Sequence, residues 1–307
     1  MRVIQQTNRE LGIGVDIGGT KTLVVIADRA GRPVMKEKLK TASRIEDLLQ
    51  DVQTVIAKSG VTPEIAVGMG IGVPGWVNTE SGCAIDVPSL KWRNVNVRDI
   101  FQRHFGLPVV INNDVNLSLL GEKWLGNGQN HDNIFYLAIG TGIGSAILAN
   151  GRLIEGADYA AGEIGYFIDE SDVRNGHRSV NLEFGAFEKK ASGSALTEKG
   201  RQIGLTPAAL FLEYQKGNPV AAAVIEDFVL RLAIVIANVV CLINPEIVIL
   251  GGGVSESLTV VLERINDKVA AYVPIPAHII LSKLGGEAGA FGAVAYLFQK
   301  KNEGGFP

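Results

Sequence analysis

Cysteine is nearly absent from these 307 residues: Cys83 and Cys241 are the two, far apart and each without a second cysteine nearby. That count excludes a disulfide scaffold and a cysteine-rich zinc site. Cys241 falls in an apolar helical run, which predicts a buried, inert thiol. An excess of positive charge is missing as well. Lys and Arg number 29 against 32 Asp and Glu, a net charge of −3, so no nucleic-acid partner is expected. No apolar run is both long and clean enough to span a membrane. The most apolar, FVLRLAIVIANVVCLINPEIVIL, is broken by Arg231, Asn238 and Pro245 and reads as a buried helix feeding a strand. The opening residues MRVIQQTNRE lack the apolar centre of a signal peptide, which predicts a cytoplasmic protein with no membrane partner.

Glycine is what the chain has in excess, 37 residues of 307, against a usual share of about 7%. The glycines cluster between apolar runs. In GVDIGGTKTLVVIA an apolar strand reaches Asp16, turns at Gly18-Gly19, passes Thr20 and Lys21, and becomes a second strand. Laying IFYLAIGTGIGSAILANG over GIGVDIGGTKTLVVIADR puts Gly140 on Gly18 and Ile139 on Ile17, an offset of 122. A repeat of that size predicts two lobes of similar α/β build. A third turn, Gly251 to Gly253, follows the strand EIVIL and precedes a helix.

GTGIGS and GMGIGV both look like a dinucleotide fingerprint, but that fingerprint needs glycines that open a helix. SAILANG and TLVVIAD read as strands, and GMGIGV runs into Pro74 and Gly75. No GxxxxGK[ST] stretch is present, which excludes a P-loop. Glycine hairpins can still cradle phosphate, because successive backbone N–H groups form an anion nest. Thr20, Lys21 and Thr141 would add hydroxyls and an ammonium. Asp16, at the end of a buried strand, either makes an Asx-type turn bond or faces a hydrated Mg²⁺, an ion that keeps its waters and takes few carboxylates. Asp114 ends the strand PVVINND. It could be a helix N-cap, yet Asn112, Asn113, Asp114 and Asn116 together make the carboxyl end of that strand unusually polar, where open α/β sheets bind ligands.

Together these motifs resemble the sugar kinase, hsp70 and actin superfamily, and within it the ROK family of sugar kinases and repressors. DIGGTKT is similar to the family's first phosphate loop, AIGTGIGSAI to its second, VPGW to its sugar-side loop, NNDVN to its catalytic segment and INPEIVILGGGV to its adenosine loop. GEIG and AGAFGA match further positions, so the resemblance spans residues 11 to 297. It implies a two-lobed, actin-like (ribonuclease H-like) fold with a mixed five-stranded sheet in each lobe. The lobes are expected at 1–117 and 118–288, with a helix in 289–307 packing back on the first. It further implies an ATP-dependent hexose kinase that uses Mg-ATP, closes its lobes over sugar and nucleotide, and forms a homodimer. Asp114 would accept the proton of the sugar 6-hydroxyl. Gly18, Gly19, Thr20, Lys21, Thr141, Gly142, Gly251, Gly252 and Gly253 would hold ATP, and Asp16 would face Mg²⁺ through water. Gly75, Ser89, Asn113, Asp114, Glu163, Tyr166 and Glu188 would surround the sugar.

Two departures from the family pattern stand out. A zinc-binding histidine and three cysteines are replaced by Tyr166, Ser179, Asn181 and Ala186, which predicts no zinc site. Ser89 stands where asparagine is usual. Zinc-less relatives with tyrosine include kinases of β-glucosides and N-acetylmannosamine, so glucose, mannose, an amino sugar or a β-glucoside all remain open as substrate. The alternative is a sugar-sensing regulator or non-catalytic sugar binder. A repressor is disfavoured by the ten or so residues ahead of the first loop, fewer than a helix-turn-helix needs. A non-catalytic binder is disfavoured by the survival of Asp16, both phosphate turns and Asp114.

Overall fold

The computed structural model describes residues 10–178 and 183–304. They form two compact units. The first takes the described residues as far as Gln129, with Ala157–Tyr159 and those from Glu287 onward; the second takes Asn130–Gly156 and Ala160–Gly286.

In the first unit, β1 (Leu11–Ile17), β2 (Lys21–Asp28), β3 (Pro33–Lys40), β4 (Ala66–Val73) and β8 (Val109–Asn113) make one mixed sheet in the order β3-β2-β1-β4-β8. β1 pairs antiparallel with β2 and parallel with β4, which pairs parallel with β8. β1 as far as Val15, and all of β4, read as unbroken apolar runs because both their faces are covered. On one face lies α1 (Ile45–Ser59), which buries Leu48, Leu49, Val52 and Val55 and ends on Gly60 in the left-handed conformation. A small sheet of β5 (Trp76–Asn78), β6 (Cys83–Val87) and β7 (Trp92–Asn96) follows β4, and α2 (Val97–Phe105) leads on to β8. Directly after β8 comes α3 (Asp114–Leu125). The C-terminal helix, Ala288–Asn302, packs on β1, β4 and α3. Its small residues let backbones nearly touch: a side chain at Gly14, Gly70 or Gly121 would strike the carbonyl of Ala290, Ala293 or Ala288. α3 is gripped by this helix and belongs to the first unit, which runs on to Gln129.

The second unit repeats the plan. β9 (Ile134–Ile139), β10 (Ile143–Ala149), β11 (Arg152–Leu153), β12 (Ile247–Gly251) and β13 (Ile279–Leu281) form a mixed sheet in the order β11-β10-β9-β12-β13. Strand senses match the first sheet one for one. The expected pair of mixed five-stranded sheets is therefore present, and the repeat seen at Gly18 and Gly140 is the β1–β2 hairpin matched by β9–β10. Helices α4 (Glu170–Arg174), α5 (Glu188–Ala191), α6 (Gly193–Gln202), α7 (Pro207–Gln215), α8 (Pro219–Ile243), α9 (Ser255–Leu258) and α10 (Leu262–Tyr272) complete it.

The 25 residues of α8 start on Asn218, whose side chain caps the first turn, with Pro219 at the first helical position. The helix passes through Arg231 and Asn238 and stops at Asn244 in the left-handed conformation, followed by Pro245. Among the described residues no helix is long and apolar enough to cross a membrane. Cys241 corrects the sequence reading, because it is exposed rather than buried. The helix turns Val239 and Val240 inward, which leaves Cys241 and Leu242 on the outer face.

Candidate functional site

In the first unit the candidate residues gather at the carboxyl ends of β1, β4 and β8. Register places Asp16 opposite Gly72, and Gly72 opposite Asn112. A Cβ on Gly72 would stand 3.2 Å from Asp16 Oδ1 and 3.6 Å from the Asp114 Cα. The missing side chain at Gly72 thus leaves room for the Asp16 carboxylate beside the start of α3. Sequence reasoning had taken the GMGIGV glycines only as a rival nucleotide loop.

Asp114 is the first residue of α3 but not its N-cap. That task falls to Asn113, whose Oδ1 accepts from the N–H groups of Val115 at 2.8 Å and Asn116 at 3.2 Å. The Asn113 amide also donates to the Gly75 carbonyl at 2.9 Å, which leaves one of its two N–H bonds for a ligand. Asn112, buried, accepts from the Asn113 N–H at 2.7 Å and from the Asn116 amide at 3.0 Å. These bonds stiffen the turn that presents Asp114. Removal from water raises the Asp114 carboxyl to about 6, against the pull of the Val115 N–H and its own.

Asp16 makes no side-chain hydrogen bond among the described residues, so the Asx-turn reading is set aside. Burial, and then the Asp114 charge, push it up to about 7. No Lys, Arg or His pairs with either carboxylate among the described residues. The first turn of the C-terminal helix comes so close that a Cβ on Gly289 would lie 2.6 Å from Asp16 Oδ2. Two neighbouring carboxylates without a cationic partner among the described residues, beside a glycine turn with free N–H groups, are a donor set that suits Mg²⁺, which takes one or two carboxylates and keeps several waters.

The Gly18 N–H closes the first turn on the Lys21 carbonyl at 2.9 Å, and Thr41 Oγ1 braces it by donating to the Gly18 carbonyl at 2.7 Å. The N–H groups of Gly19 and Thr20 make no bond among the described residues and stay available. Lys21 is exposed beside them. Ser89, in a short 3₁₀ turn, sits against this loop, 3.0 Å from where a Gly19 Cβ would be. Gly75 has a positive φ of 84°, and a side chain there would strike the Asp86 carbonyl. Glycine is required on both counts.

In the second unit the Gly140 N–H bonds to the Gly142 carbonyl at 2.9 Å, and the Gly140 carbonyl accepts from Gly193 at the head of α6 at 2.8 Å. The Thr141 and Gly142 N–H groups stay free among the described residues. Beside this turn lies the Gly251–Gly253 loop: the Gly253 nitrogen is 3.9 Å from a Gly140 Cβ position, Gly252 has a φ of 86°, and Gly251 rests on the Tyr136 hydroxyl. Glu188 ties the Gly140–Gly142 turn to the segment at Gly185. Its Oε1 accepts from the Ile143 N–H at 2.8 Å and its Oε2 from the Gly185 N–H at 3.3 Å, and a side chain at Gly142 would collide with Oε1. Burial raises its carboxyl despite those two N–H bonds. Glu163 and Tyr166, at a short 3₁₀ turn, are exposed. Of the positions where zinc ligands are missing, Ser179 and Asn181 lie outside the described residues, and Ala186 is buried.

The chain resembles proteins of both named classes. It is 31% identical to the xylose repressor of Caldicellulosiruptor bescii, with 87% of this chain and 72% of the repressor aligned. It is 29% identical to the beta-glucoside kinase of Listeria innocua, over 94% of this chain and 97% of the kinase. Among solved structures, a ROK family glucokinase from Streptomyces griseus, in complex with glucose and AMPPNP, superposes with a TM-score of 0.79. That structure is 27% identical, over 94% of this chain and 99% of the glucokinase. The family model described as ROK family matches residues 12–301, and the chain belongs to that family.

Proposed function

We propose that this protein is an ATP-dependent sugar kinase that moves the γ-phosphate of ATP to the 6-hydroxyl of a hexose or hexoside. The observation that carries this reading is the carboxylate pair Asp16 and Asp114, which meets no cation and shares a sheet end with a phosphate-type glycine turn. A group that only capped a helix would not need to be so arranged, since Asn113 already does the capping.

Asp114 is the base. Held at about 6, it is mostly ionised at neutral pH yet more basic than an ordinary aspartate, which suits removal of a hydroxyl proton as the oxygen attacks phosphorus. Asn113 keeps one N–H for the same sugar. The free N–H groups of Gly19 and Thr20, with Lys21, and those of Thr141 and Gly142 bind phosphate oxygens and stabilise charge on the transferring group. The Gly251–Gly253 loop takes the nucleoside. Asp16 would hold Mg²⁺, which when bound would further neutralise phosphate charge. Gly75, Ser89, Glu163, Tyr166 and Glu188 are the remaining sugar partners, and Glu188 keeps lone pairs beyond the two N–H bonds it accepts. No zinc takes part. The same reading makes the protein a cytoplasmic homodimer without a nucleic-acid partner.

ADP release from Mg-ATP across glucose, mannose, fructose, N-acetylmannosamine, N-acetylglucosamine, glucosamine and cellobiose tests it, with a no-sugar blank. One sugar far above the rest is the expected result. A flat panel with nucleotide binding intact would favour the non-catalytic regulator, the reading that the likeness to a xylose repressor supports.

A further inference from the structure

The chain leaves the 3₁₀ turn at Tyr166 and returns to the same place at Gly185. A Cβ on Gly185 would strike the Gly165 carbonyl and lie 2.7 Å from the Tyr166 Cα. In between, Phe167, Ile168 and Val173 are exposed, so little apolar burial holds the segment 167–178 in place. Charge holds it instead. Lys190 Nζ lies 2.7 Å from Asp169 Oδ2 and 2.5 Å from Asp172 Oδ1. The Lys190 and Asp172 side chains are only 22% and 11% exposed, unlike an ordinary solvated surface pair.

The same two aspartates close the start of α4 on each other. Asp169 Oδ1 accepts from the Asp172 N–H at 3.0 Å, and Asp172 Oδ2 accepts from the Asp169 N–H at 2.9 Å. Each carboxylate therefore spends one oxygen on the backbone and the other on Lys190. Lys190 follows Glu188 by two residues on α5, and Glu188 holds the Ile143 N–H at the second phosphate turn.

We propose that Lys190 is a positioning residue for sugar binding: through Asp169 and Asp172 it fastens the segment 167–178 to α5 and so keeps Tyr166 and Glu188 in register for the acceptor. This rests on the reading of Glu163, Tyr166 and Glu188 as sugar-binding residues. The Lys190 ammonium is committed to two aspartates and does not itself meet the sugar. Such a clamp is sensitive to salt, because Asp169 is half open to water. A neutral sugar has no charge of its own through which salt could act, so a salt-dependent sugar KM reports on the clamp.

Lys190→Met keeps the apolar stem and removes the charge; Lys190→Arg keeps the charge; Glu188→Gln serves as the reference. Lys190→Met should raise the sugar KM about tenfold, with kcat and the nucleotide KM within about twofold. It should also speed amide hydrogen exchange across 167–178, and Lys190→Arg should restore most of both. Raising sodium chloride from about 0.05 to about 0.5 M should raise the sugar KM of the native protein and leave that of Lys190→Met flat. Unchanged sugar KM in Lys190→Met, with Glu188→Gln impaired, overturns the clamp alone. Native-like exchange across 167–178 overturns it without reference to catalysis, and equal losses in kcat and nucleotide KM would make Lys190 merely structural. A Glu188→Gln protein with native sugar KM would instead defeat the sugar-site reading, and the clamp with it.

Discussion

Replacing Asp114 by Asn should do two opposite things to this protein. It should remove turnover and make the fold more stable. The native carboxyl sits at about 6, against an ordinary 3.8. A raised carboxyl means that folding disfavours its charged form. The stability that the neutral form allows is fully present below about pH 4, and is lost as pH rises through about 6. A carboxyl raised that far is worth on the order of 1–3 kcal/mol, allowing for partial solvation. The substituted amide cannot ionise, so the variant keeps what the native protein loses.

The assay is thermal unfolding in EDTA without nucleotide, from about pH 3.5 to about pH 8. The variant should match the native protein at the acid end and melt about 2–6 °C higher above about pH 7. In parallel, kcat should fall about 10² to 10⁴-fold while nucleotide binding persists. In the native protein kcat/KM should drop about tenfold per pH unit below about 6. A variant that loses stability at neutral pH would refute the desolvated-carboxylate account, and undiminished turnover would remove Asp114 from the mechanism.

Gly289→Ala puts a methyl group 2.6 Å from the Asp16 carboxylate and should weaken Mg²⁺-dependent ATP binding about tenfold, measured by calorimetry without sugar; native affinity would separate Gly289 from the metal position. Gly142→Ala forces Glu188 Oε1 off the Ile143 N–H, so the sugar KM should rise more than the nucleotide KM, and the reverse order would mean that the turn matters for phosphate alone. After chelation and desalting, elemental analysis should find less than about 0.1 zinc per chain with the melting temperature unchanged; stoichiometric zinc would overturn the zinc-free reading.

Much of the fold was legible because its strongest signals are local. A strand, a glycine turn and a second strand lie within eighteen residues, and the same pattern returns at Gly140, so two like sheets follow from the text. The position of Asp114 at a strand end was equally plain. Its freedom from capping was not, because Asn113 and Asp114 are both good caps and only the backbone decides which one does it. Cys241 was misjudged for a related reason. A run apolar on all sides hides which side faces out, and the helix set Val239 and Val240 inward.

What escaped the sequence altogether depends on contacts between distant segments, and here those contacts are made mostly by glycine. GMGIGV and AGAFGA carry no chemistry of their own and look like loop motifs or helix weaknesses. In the folded chain Gly72 clears room for the Asp16 carboxylate, Gly70 lies against the Ala293 carbonyl, and Gly289 brings a helix start against Asp16. A glycine in a strand or helix weakens that element by roughly 0.5–1 kcal/mol, so three in these positions are a cost the elements alone do not explain. Gly72 and Gly289 make sense once Asp16 is placed, because a Cβ at either would intrude on its carboxylate, and Gly70 lets the helix that carries Gly289 approach the sheet. The same glycines that weaken the secondary structure are therefore part of how the candidate site is built.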